Sequence, residues 1–320
     1  MVGYVAQRVV GIFPTVFFVS VIVFVLIRMA PGDPAAMRLG REAALEENKS
    51  KLEALRHEMG LDQPFTVQYL LWLGDISAGD FGNSLRSKRP NLDLFVEKLP
   101  ATLELITAAS LIAILVSFPC GILAAVRRRT YIDRIIVGCV SAGLAVPSFW
   151  FGLAIIVVFS VNLKLLPASG NVDISKDPWG HFQRLIMPAT TLAVYLAASL
   201  LRFVRADMIE TLSSDYVRTA IAKGLTQKVV VLKHGLRNSL VSVLTVAGLE
   251  ISSLLGGAVI IEQVFGWSGV GWLTVQAIFD RDYPLLQTSV LFLTIGVTLI
   301  NLVVDIAYGL INPKMRSLRG

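Results

Sequence analysis

Apolar residues run in six long stretches, at about 9–27, 105–126, 135–161, 185–201, 239–261 and 285–304, with polar residues gathered between them. Each stretch approaches or exceeds the ~20 residues that a helix rising ~1.5 Å per residue needs to cross the hydrocarbon of a bilayer. The pattern predicts an all-α polytopic membrane protein with six transmembrane helices, the fourth the shortest. The first stretch outlasts the ~7–15-residue apolar core of a secretory signal. It passes into Arg28-Met-Ala-Pro-Gly-Asp-Pro34 with no small-residue cleavage site, so it reads as a retained helix.

The polar segments set the organisation. Residues 31–100 mix acids and bases and form a solvated insertion after the first span. Within it, 42–59 reads as an amphipathic helix with Leu45, Leu52, Leu55 and Met59 on one side and Gly60 as its stop. A second helical piece covers 67–76, and Gly79, Gly82 and Pro90 punctuate the rest. Basic residues cluster on one side: Arg8, then Arg127, Arg128, Arg129 and Arg134, then the loop 202–238, then Lys314, Arg316 and Arg319. The short loops of the other side hold only Lys164, Lys176, Arg184 and Arg281. This bias predicts that both termini and the 202–238 loop are cytoplasmic and that 31–100 is extracytoplasmic. The expected parts are an N-terminal transmembrane helix at 1–30, the partly helical insertion at 31–100, a five-helix core at 101–310 and a cytoplasmic tail at 311–320.

Composition agrees with this reading. Apolar residues make up 54% of 320 and charged residues 16%, with a mean hydropathy of +0.67. Soluble domains average roughly 45–50% apolar and about 25% charged. The net charge of +6 sits in clusters at the ends of apolar stretches, which writes topology and argues against nucleic acid as a partner. Cys120 and Cys139 both fall within apolar stretches, which offers neither a disulfide framework nor a cysteine metal site.

The loop 202–238 is larger than a turn-round requires. Ser213 or Ser214 is placed to cap a helix, with Asp215 in its first turn at the positive end of the dipole and Gly224 at its stop. Tyr216, Ala220 and Leu225 fall near one face, while Arg218 and Lys223 lie elsewhere on it. Thr226 is placed to cap a second helix leading into the fifth span. A short basic helix joined to a spanning helix suits a docking element for a soluble partner. An amphipathic helix resting on lipid headgroups would share the same composition.

The stretch Asp215-Tyr-Val-Arg-Thr-Ala-Ile-Ala-Lys-Gly-Leu-Thr226 resembles the cytoplasmic coupling loop of binding-protein-dependent ABC importers, in the version carried by dipeptide, oligopeptide and nickel permeases. Arg218, Thr219 and Ala220 occupy the EAA positions, Gly224 is the following Gly, and His234-Gly235-Leu236-Arg237 replaces the apolar turn. Further matches run in order along the chain: Pro31-Gly-Asp-Pro34, Gly60-Leu-Asp-Gln-Pro64, Gly79-Asp-Phe-Gly82 with Ser84, Leu99-Pro-Ala-Thr-Leu-Glu104, Val146-Pro-Ser-Phe-Trp150, Leu166-Pro-Ala-Ser-Gly170, Arg281-Asp-Tyr-Pro284 and Asn301-Leu-Val-Val-Asp305. They resemble the first of the two permease subunits. Gly235 stands where the family suggests Ala, and Glu250 where it suggests Gln.

The resemblance implies a permease subunit of the bacterial or archaeal cytoplasmic membrane that imports di- or oligopeptides by alternating access. Nickel chelates, glutathione and oligosaccharides are alternative cargos. The implied partners are a second permease, two ATP-binding subunits and an extracytoplasmic binding protein, with ATP and Mg held on the ATPases and no cofactor in this chain. Asp215, Tyr216, Arg218, Thr219, Ala220, Lys223, Gly224 and Leu225 are then the ATPase-docking residues. A self-sufficient membrane channel or enzyme is the reading from another class, and it has no need of such a loop.

Two acids fall inside spans. An acidic side chain at mid-span is unfavourable by about 2.5–3.5 kcal/mol, so Glu250 is expected to face protein or a water-filled path. It is the candidate path residue. Tying two helices together is the alternative role. Asp305, near the cytoplasmic end of the last span, reads as locally paired or as reaching the interface. Gly266-Trp-Ser-Gly269 matches the short pattern of rhomboid-type serine proteases, yet His57, His181 and His234 all lie outside the spans and none follows Ser268. It reads as a glycine-rich turn with its Trp at the interface, and no catalytic residue is assigned.

Overall fold

The computed structural model describes residues 9–29, 34–39, 49–58 and 60–311, and its regular elements are helical. In chain order they are α1 (Ile12–Met29), α2 (Pro34–Leu39), α3 (Lys49–Glu58), α4 (Phe65–Ser77), α5 (Asn91–Val126), α6 (Tyr131–Ala145), α7 (Ser148–Ile155), α8 (Pro178–Leu212), α9 (Asp215–Ala222), α10 (Arg237–Phe265), α11 (Val270–Phe279) and α12 (Tyr283–Ile311). Five of them are long and apolar enough to cross a membrane, and six spans result if the bent pair α6–α7 counts as one.

That bend corrects the expectation for 135–161. The stretch is not one straight helix: α6 ends at Ala145, Val146 is extended, and the chain turns by 103° before α7. Pro147 is the cause. It has no N–H to donate, and it biases Val146 away from helical angles. The run continues past α7 as a wide π turn, Ile156–Asn162.

The second and fourth spans are longer than their apolar windows. α5 starts at Asn91, ahead of the charged stretch Asp93–Glu97–Lys98, and carries Pro100 within it. α8 begins with Pro178 in its first turn, where Asp177 accepts from the Gly180 N–H at 2.9 Å, and it keeps Pro188 inside. Charged Arg184, Arg202 and Arg205 lower the local hydropathy without breaking the helix. Of the expected amphipathic helix at 42–59, the part 49–58 is helical as α3, and 42–48 and Met59 lie outside the described residues. Gly60 follows at φ +62, where glycine is unstrained, as expected of a stop.

The chain divides into two compact units, with α5 split at Pro100. The larger holds residues 101–272 and 297–311. In it α8 packs against α10, α6 and α7. Close approach depends on glycine: a Cβ on Gly121 would lie 2.8 Å from Val204, and one on Gly248 2.5 Å from Val304. Small residues at helix contacts are the usual means of tight packing in lipid.

The other unit holds residues 10–100 and 273–296. Here α4 lies against α1: the Tyr69 hydroxyl is 2.8 Å from that of Ser20, and its ring sits edge-on to Phe24 and Phe17. Two widely separated sequence motifs also meet. Asp282, 1% exposed, accepts from the Ser84 hydroxyl at 2.5 Å and from the Leu85 and Arg86 N–H groups at 3.1 and 3.4 Å. Phe292 packs beside Phe81 and Phe95. Asp282→Ala strands these donors at about 1–3 kcal/mol for the group left unpaired. A thermal scan of the purified complex is expected to show a lower midpoint, with Asp282→Asn in between.

Candidate functional site

The expected docking helix is present as α9. Ser214 holds its N-cap position, but no side chain caps it; the Ser214 hydroxyl donates instead to the Thr211 carbonyl at 2.6 Å. Its C-terminus closes as expected. Gly224 takes φ +81, its N–H reaches the Ile221 carbonyl at 2.9 Å, and the Leu225 N–H reaches that of Ala220 at 3.4 Å. This paired arrangement is a Schellman motif, which needs a left-handed residue where Gly224 stands.

The helix has two sides. Val217 and Ala220 are buried against Val230, with Leu212 packed on them. Asp215, Tyr216, Arg218, Thr219, Lys223, Gly224 and Leu225 are exposed, as is Ile221 at 57%. Ala220 therefore seats α9, and the outward apolar residues are Tyr216, Ile221 and Leu225. The pair Asp215–Arg218, 3.5 Å apart, is on the surface and adds little stability.

Beyond Thr226 the backbone stays helical into the fifth span. A single turn, Gln227–Val229, widens into a π turn, Val230–Leu236, and continues as α10 without a break. Gly235 lies in the wide turn. A Cβ there would stand 3.0 Å from the Met208 methyl and 3.3 Å from Leu212, so the glycine lets the turn press against α8.

A cavity of about 770 Å³ lies among α6, α7, α8 and α10. Its volume falls in the ~300–1,000 Å³ range of small-molecule sites. The wall includes the broken segment Gly143–Pro147, the hydroxyl residues Ser148, Thr191, Tyr195 and Ser253, and no charged side chain. Glu250 is half-buried one turn before Ser253, and accepts from the Ser199 hydroxyl of α8 at 2.7 Å. Among the described residues it makes no ion pair.

One buried carboxylate escaped the sequence reading. Glu262, near the end of α10, is 0% exposed. It accepts from the Thr102 hydroxyl at 2.6 Å and the Trp272 N–H at 2.8 Å, while Thr102 in turn accepts from the Val270 N–H at 2.8 Å. The chain at Gly266–Gly271 wraps this group: a Cβ on Gly269 would collide with Glu262 and Thr102. Trp267 is also 0% exposed, its indole N–H donating to the Ala101 carbonyl at 2.9 Å and its ring edge-on to His181. The expectation of an interfacial Trp is therefore corrected: the glycines pull the turn inward and bury the ring. The signal was an acid followed at four, seven and nine residues by Gly266, Gly269 and Gly271.

Comparison with known proteins gives concordant likenesses. The family described as "Binding-protein-dependent transport system inner membrane component" matches residues 117–317, and the N-terminal family of the same transport systems matches residues 1–106. The glutathione transport system permease proteins GsiC of Escherichia coli (strain K12) and Shigella dysenteriae serotype 1 are each 41% identical over 316 residues, covering 99% of both chains. The methionine ABC transporter MetNI in an inward-facing form is similar with a TM-score of 0.58 at 19% identity, covering 69% of this chain and 97% of that one. An amino acid ABC transporter with histidines reaches 0.52 at 15% identity, covering 68% and 94%. The last two speak to fold.

Proposed function

Because the chain belongs to the family of binding-protein-dependent transport system inner membrane components, in the dipeptide, oligopeptide and nickel class, we propose that its cargo is a short peptide, glutathione among them. It is a multi-pass permease subunit of an ABC importer of the inner membrane. In this family ATP is hydrolysed on separate subunits, and a second permease and a binding protein complete the transporter.

The cargo reading is carried by one observation, the 41% identity over 99% of both chains to a glutathione permease. Glutathione is itself a tripeptide, so it joins the peptide reading to its alternative. The cavity among α6, α7, α8 and α10 is this subunit's share of the path. α9 docks on an ATPase subunit with Tyr216, Ile221 and Leu225 outward, and both termini are cytoplasmic. A helix that exposes apolar side chains, sits on a seated underside and continues into α10 is suited to passing a push into the membrane.

The test is the whole transporter in proteoliposomes, supplied with its binding protein and a panel of glutathione, di- and tripeptides, a nickel chelate and an oligosaccharide. Glutathione or short peptides are expected to stimulate ATP hydrolysis and to accumulate. Accumulation of the chelate or the sugar alone would overturn the cargo reading and leave the transporter class standing.

A further inference from the structure

We propose that Glu250 and Ser199 close one end of the cavity as a receptor for a positively charged amino group on the cargo. This rests on the transport reading above and adds the chemistry that the path selects.

The geometry points there from two helices. On α8, Thr191, Leu192 and Tyr195 line the cavity, and Ser199 follows Tyr195 by four residues on the same face. On α10, Ser253, Leu254 and Gly257 line it, and Glu250 precedes Ser253 by three. The two stripes converge one turn beyond the lining, where Ser199 donates to the Glu250 carboxylate at 2.7 Å. Ser199 is buried and Glu250 only half so, so this subunit leaves part of the Glu250 residue uncovered.

The break at Pro147 and the Ser253 hydroxyl add acceptors near the cavity. Pro147 has no N–H for the Gly143 carbonyl, and the helix ends there, so the carbonyls of 143–146 find no backbone donor among the described residues. The Ser253 hydroxyl already donates to the Glu250 carbonyl at 2.7 Å and has its lone pairs left. With a carboxylate one turn beyond the lining and no charged side chain on the wall itself, an ammonium is the group complementary in charge. A carboxylate of the cargo has no counter-charge on this wall. Among the described residues the Glu250 carboxylate has no cation partner, so a cargo ammonium pairs with it at no expense to an ion pair among them.

The experiment compares a free-amine peptide with its N-acetylated form, each loaded on the binding protein to a level checked separately, in proteoliposomes of the whole complex. Wild type is expected to move the free-amine form about tenfold faster per loaded binding protein, and Glu250→Gln to lose most of that preference while keeping the Ser199 bond. Glu250→Asp keeps the charge and should keep the preference. If Glu250→Gln does not assemble, Ser253→Lys decides: a cation one turn away must slow the free-amine cargo alone. An equal loss on both cargos in either variant, or an unaltered preference, overturns the receptor and leaves Glu250 as a tie between α8 and α10. A wild type that moves both cargos at one rate sinks only the receptor. One that moves neither sinks the cargo reading with it.

Discussion

Alanine at position 262 is expected to remove nearly all of the folded subunit from the membrane. Glu262 accepts bonds from the Thr102 hydroxyl and the Trp272 N–H in a site with no exposure, so truncation strands both donors and opens a void beneath Gly269 and Gly271. Each buried group left unpaired costs about 1–3 kcal/mol, against a total stability on the order of 5–15 kcal/mol. Immunoblots of washed membranes and thermal scans in detergent measure the loss. Glu262→Gln keeps one acceptor oxygen but turns an NH₂ towards a donor, so it should fall between. An alanine variant that accumulates and melts like wild type would show that the turn is held by packing alone.

Proline at position 224 is expected to uncouple transport, lowering cargo-stimulated ATP hydrolysis and uptake by at least about tenfold while the complex still assembles. Gly224 stands at φ +81 and donates to the Ile221 carbonyl. Proline fixes φ near −65° and has no N–H, a conflict worth about 3 kcal/mol or more. The Schellman closure then fails, and Leu225 leaves its place. Asparagine tolerates the left-handed region, so Gly224→Asn should retain most activity. Full coupling with proline would refute docking through α9, whereas loss with both variants would point to the absent side chain itself.

The fold class was legible because apolar runs of bilayer length have few other uses, and α1, α10 and α12 fall close to where their runs lie. Boundaries were less legible. α5 and α8 extend through charged residues, and one of those on α8 has its partner elsewhere in the fold: Arg205 pairs with Asp133 at 2.7 Å, a contact that hydropathy cannot register. The break at Pro147 was written in a motif, but its 103° turn depends on how α7 packs against α8 and α10. For the candidate sites, Gly224 declared its role through the one conformation that only small residues adopt freely. Ala220 did not, because an alanine reads the same above or beneath a helix. Glu262 was missed because its partners arrive from Thr102, 160 residues earlier, and from a turn that sequence shows only as three glycines.

The wide turn at Val230–Leu236 has a mechanical consequence. A π turn holds more residues per revolution than an α turn, and an α-helix advances about 100° for each residue. Annealing one residue's worth of that slack would spin the whole of α10 about its own axis rather than slide it. A small displacement at α9 would thereby be geared into torsion, and the stripe bearing Glu250 would swing away from Ser199 with no bending of the helix that carries it.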